Sequence, residues 1–192
     1  VSAPAVRARH LKTVLAAIDR ERRAHDIRRA TGDLVVARVE AASGMDWLPV
    51  DFDVALANGL HAVLGAAAHA AFNEAMMAEA FRGPLLGTLV QTAFLVIGDD
   101  PARWARWIPK GWSLAFQGCG EWRVEPRTPF ELALTLERMA PVCAGDAVWP
   151  VSVGTSLGAL MHAARVTGSI ALERIDREAA AAVYAVRWRS GS

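Results

Sequence analysis

Five histidines, two cysteines and a glycine-flanked Thr-Ser step are the side chains with the most chemistry to offer, yet their spacing names no reaction. His61 and His69 are eight residues apart. On one straight helix that separation puts them ~12 Å apart along the axis and ~80° apart around it. They can share a metal ion only if the chain folds back at Gly65. The zinc-hydrolase pattern of two histidines four apart with a glutamate between them is absent, and no other metal set is evident. His61, His69 and His162 each lie beside apolar residues, so each is a candidate axial ligand for haem; the alternative is a histidine packed or partly exposed on an alanine-rich helix. Cys119 stands between Gly118 and Gly120, but a nucleophile needs an activating base or a lowered pKa, and a buried cysteine at a strand entry fits as well. Cys143, in the Pro141–Gly145 loop, is expected to be the more exposed thiol. The run Gly154-Thr-Ser-Leu-Gly158 has the small residues of a phosphate cradle but no lysine after it. Inside a helix each glycine costs about 1 kcal/mol relative to alanine, so the pair implies close approach of a backbone or a ligand.

The strongest local signal is aromatic. Trp104, Trp107, Trp112, Phe116 and Trp122 fall within nineteen residues, interleaved with Arg103, Arg106 and Lys110. Such a set can stack bases, line a ligand cleft, anchor a partner or fill a core. Trp104, Trp107, Trp112 and Trp122, with Gly154, Gly158 and Phe94, are the candidate lining of an apolar pocket. No catalytic residue is assigned, and a non-enzymatic role is expected.

These residues are positioned by a chain whose hydrophobic period changes near Cys119. After it, Trp122 and Val124, then Leu132, Leu134 and Leu136, alternate with Glu121, Arg123, Glu125, Glu131, Thr135 and Glu137. A period of two with charges on the other phase means strands with one buried and one wet face. Before it, the pattern is helical. Val6 to Arg23 reads as an amphipathic helix, and residues 31–44 suit helix or strand. Trp47-Leu48-Pro49 ends that segment. Asp51 is placed as an N-cap with Asp53 in the first turn, opening a helix to Leu64; Gly65 breaks it before Ala66 to Phe81. Pro84 to Ile97 is a helix apolar all round, and Asp100-Pro101 opens Ala102 to Ile108. Strands are expected at 119–125, 130–138, 169–175 and 182–189, with a helix from Pro150 to before Gly168. The architecture is therefore α+β: an N-terminal helical layer (1–117) followed by a β-β-α-β-β unit (118–192) forming a four-stranded antiparallel sheet covered by helices on one face, in a single domain.

Composition bounds the role. The chain has 192 residues, 53% hydrophobic, with a net charge of +1, which argues against a broad nucleic-acid surface. The first thirty residues carry +5 and the rest −4, so the leading basic helix is either a solvated face or a contact for anionic lipid, nucleic acid or an acidic partner. The longest apolar run is too short to cross a bilayer, no signal peptide is visible and two cysteines make no disulfide framework. A cytoplasmic protein is expected.

The Trp47-Leu48-Pro49 step, Arg106-Trp-Ile-Pro-Lys-Gly-Trp112 leading into Gly120-Glu-Trp-Arg-Val-Glu125, the glycine-bearing helix at 150–166 and the closing Tyr184-Ala-Val-Arg-Trp188 strand resemble a paralogous myxobacterial family of proteins of this length. The C-terminal half of that family is similar to 4-vinyl-reductase domains and, more distantly, to the TRAPP-type transport-component fold. The resemblance implies a sensor-like scaffold that encloses an apolar small molecule and often dimerises. The cysteine pair common in the 4-vinyl-reductase group is missing between Glu173 and Trp188, so no metal or thiol chemistry transfers. The expected function is a binding or sensory module holding an apolar small molecule between the 84–97 helix, the 150–166 helix and the inner sheet face. The alternatives are a homodimeric structural or signalling protein without a small ligand, and a haem-binding sensor.

Overall fold

A computed structural model describes residues 3–82 and 100–189. The helix expected at 84–97, and Phe94 with it, lies outside the described residues. The chain opens with a short strand, β1 (Ala5–Arg7), followed by α1 (Ala8–Ile18), α2 (Ala24–Thr31) and α3 (Asp33–Ala41). The single helix expected over 6–23 is thus a strand and a shorter helix. Val6 is fully buried in β1, where it pairs with Leu48 on one side and Phe116 on the other, and tertiary pairing overrides the helical stripe. The ambiguous 31–44 stretch is helical from Asp33, with Gly32 at a φ of 101° separating it from α2.

The strand β2 (Trp47–Pro49), α4 (Asp51–Leu64) and α5 (Ala66–Arg82) follow. Val50, rather than Asp51, is the capping position of α4; Asp51 and Asp53 both sit in its first turn. Gly65, at φ 78° and ψ 166°, ends α4 in a conformation that favours glycine. Then come α6 (Pro101–Ala105), whose Asp100 cap accepts from the Ala102 N–H at 2.9 Å, and α7 (Ile108–Ala115), a helix the periodicity does not separate. The strand β3 (Phe116–Gln117) joins β1 and β2 in a three-stranded sheet ordered β2-β1-β3, also missed by the pattern because its strands have only two or three residues.

The remainder is the expected unit: β4 (Glu121–Thr128), β5 (Glu131–Glu137), a short α8 (Pro141–Gly145), α9 (Trp149–Ala163), β6 (Gly168–Asp176) and β7 (Ala181–Trp188). The four strands form an antiparallel sheet ordered β4-β5-β7-β6, and helix α9 lies against it. Leu132, Leu134 and Leu136 are at most 1% exposed. The outer face is drier than alternation predicts: Ala133, Val183 and Ala185 are buried too. Long side chains arch over these small residues, since Arg127 and Arg187 both bond Glu131 and Glu173 there. Arg187 therefore meets both Glu131 and Glu173.

Leu134→Ala should cost about 2–5 kcal/mol by denaturant unfolding, and Thr135→Ala, half-buried on the opposite face, less than half of that. Equal losses would contradict a sheet with one principal core face.

Candidate functional site

The aromatic run divides into three roles. Trp104 is buried in the core at 4% exposure, Trp107 is half exposed with the Lys110 ammonium 5.2 Å from its ring centre, and Trp112 and Trp122 border an open cleft. That cleft, of about 490 Å³, is walled by Trp47, Pro109, Trp112, Phe116 and Trp122, with Ser113, Gln117 and Glu121 supplying polar groups. It lies where the two sheets meet α7. Phe116 is fixed by its pairing to Val6 and Trp122 by its place opposite Leu136. Gly120, at φ 123°, makes the junction: a Cβ there would stand 2.8 Å from Leu136 Cδ1 and 2.9 Å from the Glu137 carbonyl. Trp112 stacks on Phe116 at 4.0 Å and meets Trp122 edge-on at 5.6 Å. Trp47, on the far wall, carries the Arg7 guanidinium 3.8 Å from its ring centre. The indole N–H groups of Trp112 and Trp122 are buried without a hydrogen-bond partner, as is that of Trp104. No lysine or arginine lines the cleft.

Among the described residues the glycines of α9 face side chains. A Cβ on Gly154 would lie 2.9 Å from the Tyr184 ring, so the close approach they allow is that ring; Gly158 faces Glu74, its imagined Cβ 3.8 Å from Oε1. Tyr184 is fully buried, donates to the Pro150 carbonyl at 2.9 Å, and has its phenol pKa pushed up by burial.

Beside this aromatic wall lies a network that sequence spacing did not reveal. The Asp53 carboxylate accepts from Trp149 Nε1 at 2.8 Å and contacts His10 Nε2 at 3.2 Å, joining α4, α9 and α1. Asp53 reads in the sequence only as a first-turn acid, and nothing there points to Trp149. Both cysteines are fully buried, including Cys143, for which exposure was expected. Cys143 lies in α8, not in an open loop. Burial pushes the Cys119 thiol up to about 11, and the Cys143 thiol higher still, so neither supplies a thiolate at neutral pH.

The histidines are placed unequally. His162 is exposed and bonds Glu74 at 2.5 Å. His61 and His69 are brought together by the break at Gly65, their ring centres 5.8 Å apart and nearly perpendicular. His69 is 2% exposed; its Nε2 lies 3.1 Å from Asn73 Nδ2 and 3.3 Å from Ser152 Oγ, and Asn73 also donates to Thr155 at 3.2 Å. Among the described residues no group of three or more histidines, cysteines or carboxylates is arranged to hold a metal, and no helix is long and apolar enough to cross a membrane.

With this geometry in view, the comparison with solved structures is decisive for the architecture. An iron(II), unliganded H-NOX protein from K. algicida superposes with a TM-score of 0.62 over 96% of this chain and 97% of its own, at 10% identity. A single-substitution variant of the same protein gives 0.59 over the same spans. This chain shares its fold with H-NOX proteins. That overturns the resemblance to 4-vinyl-reductase and TRAPP-type folds, whose shared features here were loose tryptophan and glycine landmarks rather than a common topology. No protein-family model and no curated protein matches the sequence.

Burial, and next to it the nearby His61, lower the His69 pKa from 6.5 to about 4. The unfolded chain therefore takes up a proton at this position as pH falls below about 6.5, while the folded chain does so only near 4. Stability from this group is complete above that window and is lost on acidification through it, by at most about 1.4 kcal/mol per pH unit. Urea unfolding at about pH 7 and about pH 4.5 should show a smaller decline in His69→Gln than in the parent. An unchanged decline would mean that His69 titrates alike in both states.

Proposed function

We propose that this protein is a non-enzymatic sensory module that takes a small, neutral, planar ring compound bearing a hydrogen-bond acceptor into the aromatic cleft. The observation that carries this reading is the aromatic wall of that cleft, in which the Trp112 and Trp122 rings border the opening while their indole N–H groups are enclosed and unpartnered, so that an acceptor meets them as the rings turn. A buried donor without a partner costs about 1–3 kcal/mol, and an occupant bringing a carbonyl or ether oxygen offsets that cost. Stacked and edge-on rings offer flat apolar contact, and about 490 Å³ suits a small molecule. With Glu121 at the rim and no cation in the lining, an anionic ligand is disfavoured. The fold is shared with an iron(II) H-NOX protein solved in its unliganded state, which supports a ligand-binding role for this chain.

The iron of that neighbour raises haem as the other occupant, and the residues described here do not fit it. An axial ligand needs a free nitrogen or sulfur facing a void. His162 is paired with Glu74 and His10 with Asp53, His25 is exposed on the surface, and the His61 and His69 rings stand 5.8 Å apart, too close for a macrocycle to lie between them. Neither the aromatic cleft nor the shallow cleft on the outer sheet face around Arg123 and Thr135 is lined by a histidine, and residues 83–99 contain no histidine, cysteine, methionine or tyrosine.

Coumarin and naphthalene, equal in shape and differing in the acceptor, test the proposal. Coumarin should quench tryptophan fluorescence saturably and shift the indole N–H resonances of Trp112 and Trp122. Naphthalene should bind roughly five- to tenfold more weakly, the value of one net hydrogen bond. Trp122→Phe should erase most of that preference, and added haem should give no Soret band. Equal affinities for the two probes, or unmoved indole resonances, would overturn the reading.

A further inference from the structure

We propose that His61 and His69 together form a binding site for one divalent late transition-metal ion of the zinc class, bridging the break between α4 and α5. The site is separate from the aromatic cleft, which neither residue lines.

The geometry follows from one glycine. On a continuous helix the two rings would diverge, but at Gly65 the chain leaves α4 with a positive φ and α5 starts one residue later, which leaves the rings 5.8 Å apart, centre to centre, with an interplanar angle of 72°. Zinc–nitrogen bonds are about 2.0–2.1 Å long, so two imidazoles on one ion have their centres roughly 5–6 Å apart. The observed pair is already at that spacing. Imidazole nitrogen is a ligand type that suits zinc, copper and nickel.

The ligating atom of His69 follows from the partners of its ring. Its Nε2 faces Asn73 and Ser152, which leaves Nδ1 as the ligating atom. When Nδ1 takes the metal, the ring proton moves to Nε2 and is donated to Ser152 Oγ, while the Asn73 amide turns its Nδ2 away from the same N–H and gives up its bond to Thr155 Oγ1. The change is a tautomer shift with no net proton released. Ser152 is itself anchored, bonding the Val148 carbonyl at 3.1 Å. This is the arrangement by which outer groups fix the orientation of a metal-bound histidine. His61, half-buried, gives the ion its access from solvent. With no third histidine, cysteine or carboxylate joining the pair among the described residues, water completes the coordination. An ion held here links α4 to α5 and stabilises the folded chain in proportion to its concentration.

The test is calorimetric titration of zinc chloride into the intact chain in a non-chelating buffer, repeated with His61→Ala, His69→Gln and His162→Ala. One ion per chain should bind the parent with a Kd in the micromolar range. His61→Ala should weaken binding at least tenfold, and His162→Ala, which removes the exposed competing imidazole, should leave it unchanged. Nitrogen-15 spectra of the His69 ring should show the proton moving from Nδ1 to Nε2 as zinc is added, which a purely structural histidine would not do. Should His69→Gln fail to fold, the half-buried His61→Ala variant and the ring spectrum still decide. Parent protein that binds no zinc below millimolar concentration, binding unaffected by His61→Ala, or a His69 tautomer that does not change would overturn the proposal.

Discussion

The bond between the Trp149 indole and the Asp53 carboxylate holds the layers in register. Trp149 is 1% exposed and opens α9, the helix that covers the sheet; Asp53 opens α4, in the helical layer; His10 of α1 closes on the same carboxylate. A hydrogen bond to a charged group contributes about 1.5–3 kcal/mol, but the larger consequence lies in what its loss leaves behind. A buried carboxylate stripped of a donor costs several kcal/mol, so any slip of α9 relative to α4 is penalised twice. The Trp149 ring extends this constraint to the cleft, lying edge-on to Trp112 at 6.0 Å and to Phe116 at 6.3 Å.

Gly65 acts in the opposite sense, by releasing a constraint. Without it, α4 and α5 would form one long helix carrying His61 and His69 on divergent faces. With it, α5 turns to pack along α9, and its buried polar side chains His69 and Asn73 meet Ser152 and Thr155 there. The small residues of α9 matter for both of its neighbours: Gly154 admits the Tyr184 ring on the sheet side, while Ser152 and Thr155 present hydroxyls to α5. Each hydroxyl also bonds back to a carbonyl one turn earlier, Ser152 to Val148 and Thr155 to Val151.

How much of this was legible in the sequence depended on the range of the interaction. Leu132, Leu134 and Leu136 alternate with polar neighbours, so the core face of β5 could be read directly, and Asp100-Pro101 announced a helix start through local chemistry alone. Strand β1 could not be read, because three residues carry no period and Val6 fits a helical stripe equally well; only its partners Leu48 and Phe116, about 40 and 110 residues away, make it a strand. The candidate site was legible in kind and not in membership. A dense tryptophan run signals an aromatic feature, but whether Trp104 turns inward and Trp112 toward a cleft is set by the α6–α7 break, which periodicity blurs. The histidine pair was conditional on a fold-back at Gly65, and the backbone there supplies it. Asp53–Trp149 was invisible, since a first-turn aspartate looks the same whether it caps a helix or bonds an indole 96 residues away.

Orphaned indole donors do not endanger this fold. Each buried aromatic side chain removes roughly 150–250 Å² from water, a gain of about 4–6 kcal/mol at 25 cal/mol per Å², against about 1–3 kcal/mol for one unanswered N–H. Burial wins at Trp104 and Trp122, and the half-buried Trp112 gains a part of the same term. In the proposed reading the Trp112 and Trp122 donors become available to an acceptor-bearing occupant only as their rings turn toward the cleft. Trp104 holds the same unsatisfied group but does not line the cleft, and a bound molecule cannot reach it. In the proposed site Trp112 and Trp122 stand beside the polar groups of Ser113, Gln117 and Glu121. Such a site discriminates through hydrogen-bond acceptance more than through size, because a cleft open to solvent tolerates ring substituents that an enclosed cavity of the same volume would exclude.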